Sequence, residues 1–151
     1  MQKKKIKRGD IYYAKLNPII GSEQNGFRPV VVIQNDLANE YSPVVVVAPI
    51  TSKVDSKPKL KSHVFIEKDG NITHDSIILI EQVRVLDKTR LGSYLCSLDK
   101  NKMLEIDTAL IKQFQIDVES YIEKKEKKKT KNENIQNNYK KNKNKWVWNK
   151  G

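Results

Sequence analysis

The stretch GSEQNGFRPVVVI, residues 21–33, decides the fold because it passes from a polar loop directly into an apolar run. Gly21 and Gly26 bracket the loop, and four consecutive β-branched residues follow Pro29. An apolar run of this length and composition predicts a buried strand. Because Arg28 precedes a proline, its backbone is expected to be extended, and its guanidinium is predicted to project from the strand entrance.

Further short strands are predicted from runs of apolar and β-branched residues. These runs are Ile11–Leu16, Val44–Ile50, Val64–Ile66, Ile77–Leu86 and Gly92–Leu95. The second half of the Ile77–Leu86 run alternates polar and apolar residues, which predicts one dry face and one face carrying Gln82 and Arg84. The connection 35–43 is expected to contain one helical turn. The Val44–Ile50 run leads directly into Thr51 and Ser52, so hydroxyl groups are predicted at the end of a second buried strand.

The hydrophobic period changes after Asp99 from that of a strand to that of a helix. Apolar residues then recur at steps of three and four, at Met103, Ile106, Leu110, Phe114, Val118 and Tyr121. Asp99 is the predicted N-cap, and Leu98 and Met103 form a hydrophobic staple around it. The helix is expected to pack against the sheet and to end near Glu123. Short strands followed by one long helix indicate a mostly β (α+β) domain over residues 1–122.

Residues 123–151 differ in composition from the rest of the chain. They carry 11 lysines against three glutamates and account for most of the net charge of +11. The overall charge is therefore poor evidence that the preceding domain binds nucleic acid. Lacking apolar periodicity, the basic tail is predicted to be disordered. Trp146 and Trp148 stand near its end, and no role is assigned to them or to the tail.

Length and composition favour one soluble domain. A chain of 151 residues is long enough to bury a core without covalent staples. Cys96 is the only cysteine, so neither an intrachain disulfide nor a cysteine-based zinc site is possible. No stretch approaches the roughly 18 apolar residues of a membrane span. A cytoplasmic protein without membrane attachment is the expectation.

Arg28 and Thr51 have the chemistry needed to cleave RNA without a metal ion. In that reaction the 2′-hydroxyl attacks the adjacent phosphorus, and the protein positions the phosphate and neutralises developing charge. A guanidinium donates to two phosphate oxygens at once, and the threonine hydroxyl donates to the phosphate or the leaving oxygen. Glu23 is a candidate for orienting Arg28 or accepting a proton. The alternative for Arg28 is a surface salt bridge with Glu23.

The two histidines and several aromatic residues leave alternatives open. His63 and His74 could form an acid–base pair, but both stand among polar loop residues and are more simply interpreted as solvated. No motif spaces them with carboxylates, so no metal site and no cofactor is predicted. The aromatic residues could stack on unpaired bases or pack against the core. They are Phe27, Tyr12, Tyr13 and Tyr41.

Six short motifs occur in a fixed order along the chain. They are KRGDIY (7–12), NP (17–18), GSEQ (21–24), GFRPVVVIQN (26–35), PITS (49–52) and IEQVR (80–84). Together this series resembles the MazF/PemK toxin family, over about residues 6–121. The resemblance implies a CcdB/PemK-like, SH3-like small β-barrel with a packed C-terminal helix, assembled as a homodimer. The basic tail lies beyond the resemblance and inherits no function from it.

The resemblance also implies a function. The family's toxins are metal-independent, ribosome-independent endoribonucleases that cut single-stranded RNA and leave a 2′,3′-cyclic phosphate and a 5′-hydroxyl. Arg28 and Thr51 fall on the catalytic pair, with Glu23 as a further catalytic candidate. The expected RNA-binding residues are Ser22, Gln24, Phe27, Ser52 and Gln82. An antitoxin is expected to block the same groove with an acidic segment.

Two other classes of function remain as alternatives. One is a toxin that poisons gyrase and cuts no RNA, since such proteins occur in the same superfamily. The other is a non-catalytic RNA-binding barrel that uses the aromatic residues and the basic tail, with strongly salt-dependent binding. Arg28 and Thr51 favour the ribonuclease, because a pure binding protein needs neither.

Overall fold

Seven strands and three α-helices make up the described part of the chain. The computed structural model describes residues 4–55 and 59–148, without the side chains of residues 146–148, so Trp146 and Trp148 lie outside the described side chains. In chain order the elements are β1 (Asp10–Lys15), β2 (Phe27–Val32), α1 (Asp36–Tyr41), β3 (Val44–Thr51), β4 (His63–Ile66), β5 (Ser76–Leu79), β6 (Arg84–Asp87), β7 (Leu91–Ser97), α2 (Lys100–Gln113) and α3 (Val118–Trp148).

The strands form one antiparallel sheet in the order β4-β5-β3-β2-β1-β7. The long strand β3 pairs with β6 through Val44–Val47 and with β5 through its last two residues. The predicted mostly β fold with a packed helix is confirmed. Within the described residues the sheet is open rather than closed into a full barrel, because the two strands at its ends, β4 and β7, do not pair with each other.

One predicted strand is divided in two. The Ile77–Leu86 run forms β5 and β6, and a 3₁₀ turn at Ile80–Gln82 separates them. The predicted dry face is wrong, because Val85 is 57% exposed whereas Leu86 is buried. Alternation cannot continue across a turn that rotates the chain, so the register of apolar positions changes after it.

Successive residues of the central strands supply two hydrophobic clusters. Ile11 and Val31 belong to one cluster, while their neighbours Tyr12 and Val30 belong to the other. This is the alternation that a pleated strand imposes. Ile106 of α2 packs into the first cluster, so α2 covers one face of the sheet.

Asp10 forms a buried polar cluster at the start of β1. Its carboxylate is 2% exposed and accepts hydrogen bonds from the Lys7 N–H (3.0 Å) and the Ser97 hydroxyl (2.6 Å). The Lys4 ammonium lies 3.2 Å from Oδ2, and the Tyr12 hydroxyl donates to the same oxygen at 3.4 Å. Burial and the neighbouring Asp10 charge raise the pKa of Tyr12 to about 12.

The helix that follows Asp99 ends earlier than the sequence predicts. As predicted, Asp99 caps α2 by accepting from the Lys102 N–H at 2.8 Å. The helix nevertheless ends at Gln113, because Gln115 has a φ of 50°, outside the right-handed helical region. Asp117 then begins a second helix by accepting from the Ser120 N–H, a bond that lowers the pKa of its carboxyl. The predicted apolar stripe is therefore wrong at Val118 and Tyr121, which belong to a separate helix, α3.

The chain divides into two compact units, up to Phe114 and from Gln115 onward. The second unit contains α3, which is helical where composition predicts a disordered tail from residue 123. Residues 118–148 contain neither glycine nor proline, and their ten lysines and four glutamates have good helix propensity. None of the described helices has the length and apolar composition needed to cross a membrane. The division into a domain of residues 1–122 and a tail stays a prediction.

Candidate active site

The loop before β2 holds Arg28 in a fixed orientation. Arg28 Nε donates to the Asn25 carbonyl at 2.6 Å, and Nη1 donates to Gln24 Oε1. Two of the five guanidinium N–H groups are used in this way, and the other three have no hydrogen-bond partner among the described residues and can donate to a ligand. Gly21 and Gly26 have φ values of 59° and 80°, which let the loop turn back on itself.

A glutamine from a distant part of the sequence fixes this loop. Gln82, in the 3₁₀ turn after β5, accepts a hydrogen bond from the Gln24 N–H at 2.7 Å. Asn17 Oδ1 accepts from the Gly26 N–H at 3.1 Å on the other side of the loop. The guanidinium of Arg28 is therefore oriented by a connected set of side chain and backbone bonds, which is the preorganisation that electrostatic catalysis needs.

Thr51 lies at the end of β3 beside the start of β2. Val30 pairs with Pro49, and continuing this register by two residues places Arg28 opposite Thr51. Thr51 is 3% exposed, and its Oγ1 accepts from the Lys53 N–H at 3.2 Å. Because that bond uses a lone pair of the oxygen, the O–H remains available as a donor.

Arg28 and Thr51 line one pocket of about 270 Å³. This volume is just below the roughly 300–1,000 Å³ of pockets that enclose drug-sized ligands, so the pocket suits a group about as large as one nucleotide. The lining residues come from β1, β2, β7, the end of β3 and the two residues after it, the loop before β5 and the first residue of β5. They are Tyr13, Arg28, Pro29, Ile50, Thr51, Ser52, Lys53, Asn71, Ile72, Thr73, His74, Ser76 and Leu95.

The charges around this pocket are of one sign. Arg28 and Lys53 are cationic, and none of the described residues that line the pocket is acidic. Hydroxyls and an amide supply further hydrogen-bond donors, from Thr51, Ser52 and Asn71. A concave site with fixed cations and neutral donors is suited to a phosphate group.

Comparison with known proteins identifies the family. Residues 7–114 match the model of the PemK-like, MazF-like toxins of type II toxin–antitoxin systems. The chain belongs to this toxin family. It is also similar to a Staphylococcus epidermidis protein named endoribonuclease MazF, with 54% identity over 106 residues, or 70% of this chain and 88% of the relative.

Solved structures of other family members share the fold. A MazF from Deinococcus radiodurans is 19% identical, with a TM-score of 0.65 over 76% of this chain and all of that one. A mycobacterial endoribonuclease solved with its cognate antitoxin is 21% identical, with a TM-score of 0.61 over 74% of this chain and 96% of that one. At these identities the likeness concerns the fold alone.

Of the remaining residues expected to bind RNA, some lie at the pocket and others lie outside its lining. Ser52 lines it, and Phe27 stacks on the lining residue Tyr13 with ring centroids 5.3 Å apart. Gln24 and Gln82 lie outside the lining and hydrogen-bond within the loop network. Ser22 is exposed on the same loop.

Glu23 is not directed at Arg28 in this toxin. Its Oε2 accepts from the Ile20 N–H at 3.3 Å, and it is not among the pocket-lining residues. Among the described residues there is no ion pair between Arg28 and Glu23, so the surface salt bridge considered for Arg28 is not formed.

His74 is exposed, as its interpretation as a solvated loop residue predicts, but its place at the pocket with Arg28 and Thr51 was not predicted. The two histidines have different surroundings: His63 Nε2 lies 2.9 Å from Glu81 Oε1, whereas His74 lines the pocket with Arg28 and Thr51. The signal that could have found it is the register of β5, since Ile77 pairs with Thr51 and His74 is three residues earlier. Over the described residues, no cluster of three or more histidine, cysteine or acidic side chains could hold a metal ion.

Proposed function

We propose that this chain is the toxin of a type II toxin–antitoxin system and acts as a sequence-specific, metal-independent and ribosome-independent endoribonuclease on single-stranded RNA. Its membership of the toxin family and its 54% identity to a protein named endoribonuclease support this activity. The observation that carries the proposal is the pocket of about 270 Å³ that Arg28 and Thr51 line together, with no acidic residue among its described lining residues. Cleavage of mRNA would inhibit translation and growth.

In the proposed reaction the 2′-hydroxyl of the substrate attacks the adjacent phosphorus while the bond to the 5′-oxygen breaks. The products are a 2′,3′-cyclic phosphate and a 5′-hydroxyl. The free N–H groups of Arg28 donate to the non-bridging oxygens, whose negative charge increases in the transition state. The Thr51 hydroxyl donates to the same phosphate. Removing one preorganised donor of this kind typically costs about 100- to 1,000-fold in rate.

The other candidates are assigned by their place around the pocket. Ser52 lines the pocket and Phe27 stacks on its lining residue Tyr13, so we assign both to the nucleotides that flank the scissile phosphate. We assign Ser22 and Gln24, on the loop before β2, to the same nucleotides. Gln82 supports this loop by accepting a hydrogen bond from the Gln24 N–H. Glu23 is retained as a catalytic candidate that would need to leave its bond to Ile20 in order to act.

The proposed partners follow from the family and from the charge of the site. An antitoxin with an acidic segment would complement the cations of the pocket and exclude RNA from it. A solved mycobacterial relative is bound to its cognate antitoxin. We propose a homodimer as the assembled form and the cytoplasm, where mRNA is found, as the place of action.

The two alternatives make different predictions at Arg28. A gyrase poison needs no phosphate site and leaves RNA intact, and a non-catalytic RNA-binding barrel binds RNA without cutting it. The decisive experiment incubates the purified full chain in EDTA with a long RNA that has both paired and unpaired regions, and maps fragment ends by primer extension. Discrete cuts at one short unpaired sequence are expected, with 5′-hydroxyl ends.

Arg28→Ala is the test variant, and Lys100→Ala is its control. Lys100 is an exposed cation at the start of α2, outside the pocket, so its removal changes the charge equally without touching the site. We expect Arg28→Ala to lose at least about 100-fold in cleavage rate with an unchanged melting temperature. Intact RNA with folded wild-type protein would reject the ribonuclease, and equal rates for both variants would reject the role of Arg28.

A further inference from the structure

His74 occupies a defined position on the wall of the pocket. The loop before β5 is anchored by Ile72, which is 7% exposed and packs into the hydrophobic core. Asp69 Oδ1 accepts from the Asn71 and Ile72 N–H groups, and the Ser76 hydroxyl donates to the His74 carbonyl at 2.8 Å. These bonds hold the backbone on both sides of His74, an exposed residue that lines the pocket.

One ring nitrogen of His74 is engaged in a hydrogen bond, and the other is left unpaired among the described residues. Nδ1 lies 2.9 Å from Thr73 Oγ1, a hydrogen bond whose direction depends on the tautomer. Nε2 has no hydrogen-bond partner in residues 4–55 and 59–148. A histidine that lines a pocket, with one nitrogen held by a neighbour and the other unpaired, can serve as an acid–base group.

The reaction needs a proton at the leaving oxygen, and few of the lining groups can give one. As side-chain types, arginine, lysine and tyrosine give up a proton only well above neutral pH, and a threonine hydroxyl is a weaker acid still. Histidine alone among these residue types both gains and loses a proton near neutral pH.

We propose that His74 is a catalytic acid that gives its Nε2 proton to the leaving 5′-oxygen, an inference that rests on the proposed ribonuclease function. The bond between the 2′-oxygen and phosphorus forms, and the bond between phosphorus and the 5′-oxygen breaks. The proton of the 2′-hydroxyl passes to solvent, and the proton on Nε2 passes to the 5′-oxygen. Solvent then reprotonates the exposed ring, so atoms and charge balance over one turnover.

The other charged and titratable groups that line the pocket come from three parts of its wall, and one further group adjoins His74 in the chain. Tyr13 belongs to β1, Arg28 to β2, and Lys53 follows β3. Asp75, adjacent in the chain, accepts from the Lys68 N–H at 3.0 Å. Since the proposed acid acts in its protonated form, the cleavage rate should stop rising with pH where His74 loses its proton.

The test uses an RNA oligonucleotide that contains the mapped cleavage site and a second one with sulfur in place of the bridging 5′-oxygen there. A thiolate leaves without protonation, so the sulfur substrate needs no catalytic acid. We expect His74→Gln to lose about 100-fold or more on the oxygen substrate and to cleave the sulfur substrate at nearly the wild-type rate. The bend in the plot of log kcat/KM against pH should also disappear in this variant.

Two further variants separate proton transfer from charge and folding. His74→Lys keeps a cation in the pocket without a group that titrates near neutrality, and we expect it to remain as slow as His74→Gln. His63→Gln changes the histidine paired with Glu81, and we expect it to keep the bend in the pH profile. Restored activity in His74→Lys, or equal losses on both substrates, would overturn the proposal in favour of a simple phosphate contact. Wild-type protein that cuts neither RNA would instead reject the ribonuclease itself.

Discussion

Gln82 Oε1 lies 2.7 Å from the backbone nitrogen of Gln24, although 58 residues separate the two in the sequence. This bond joins the 3₁₀ turn after β5 to the loop before β2. Gln24 in turn accepts a hydrogen bond from the guanidinium of Arg28 through its side chain. The orientation of Arg28 in the pocket therefore depends on a side chain that does not line the pocket, and this makes Gln82 a positioning residue.

The first prediction concerns Gln82→Ala, which should lower kcat while leaving KM nearly unchanged. Loss of one hydrogen bond is worth about 0.5–1.5 kcal/mol, so a decrease of about 2- to 10-fold is expected. In an Arg28→Ala background the same change should have no further effect, because the group that it positions is absent. Steady-state cleavage kinetics measure both, and Gln113→Ala at the exposed end of α2 is the control. Additive losses in the double variant would contradict the positioning role.

The second prediction concerns the stacked pair of Phe27 and Tyr13. Phe27 is 61% exposed, and its ring plane lies at 15° to that of Tyr13, so its outer face is open to an unpaired base. Stacking of a base on an aromatic side chain is worth roughly 1–3 kcal/mol, so Phe27→Ala should weaken RNA binding by about 5- to 150-fold. Phe27→Tyr should retain it.

Binding of an uncleavable 2′-O-methyl oligonucleotide, followed by fluorescence anisotropy, measures this effect without interference from catalysis. Phe114→Ala is a matched control, since Phe114 is 58% exposed and does not line the pocket. Equal affinities for Phe27→Ala and the wild-type protein would show that no base stacks on Phe27.

The central part of the site could be predicted from the sequence because it depends on local signals. A proline fixes the extended backbone at Arg28, and an apolar run ends at Thr51. Because β2 and β3 are consecutive antiparallel strands, the start of one and the end of the other meet at the same end of the sheet. Adjacent antiparallel strands were enough to bring the two residues together.

The remaining features depend on long-range contacts that no local pattern contains. His74 reaches the pocket because Ile72 anchors its loop in the core, and Gln82 reaches the loop because a 3₁₀ turn interrupts an otherwise apolar run.

The break after α2 had a local signal in Asp117, an N-cap residue. The apolar residues on both sides of it continued the helical spacing and masked it.

The third prediction concerns a chain that ends after Phe114. The first compact unit closes at this residue, and the family match ends there too. The shortened protein should keep its melting temperature, its cut sites and its kcat. It should lose the helical circular dichroism signal of α3, and its RNA binding should become less salt-dependent, because each lysine–phosphate contact contributes a slope of about −0.7 on single strands.

The control for this truncation replaces residues 118–148 with a neutral glycine–serine segment of equal length, which removes charge and helix together while retaining chain length. If the dependence of RNA affinity on salt is the same in both variants as in the full-length wild-type protein, the lysines of α3 do not contact RNA. If the truncated protein fails to fold or cuts at other sequences, the first unit is not independent of the second.

The last prediction concerns the alkaline titration of Tyr12. Its pKa is raised from 10.0 to about 12 by burial and by Asp10, whose carboxylate accepts its hydroxyl at 3.4 Å. The folded state thus favours the neutral phenol, so this contribution to stability is present below pH 10 and is lost as the pH rises through 12. Ultraviolet absorbance of tyrosinate should show one group titrating late, absent in Tyr12→Phe and shifted toward the ordinary value in Asp10→Asn. A titration in which all tyrosines ionise together in the folded wild-type protein would contradict the buried Asp10–Tyr12 contact.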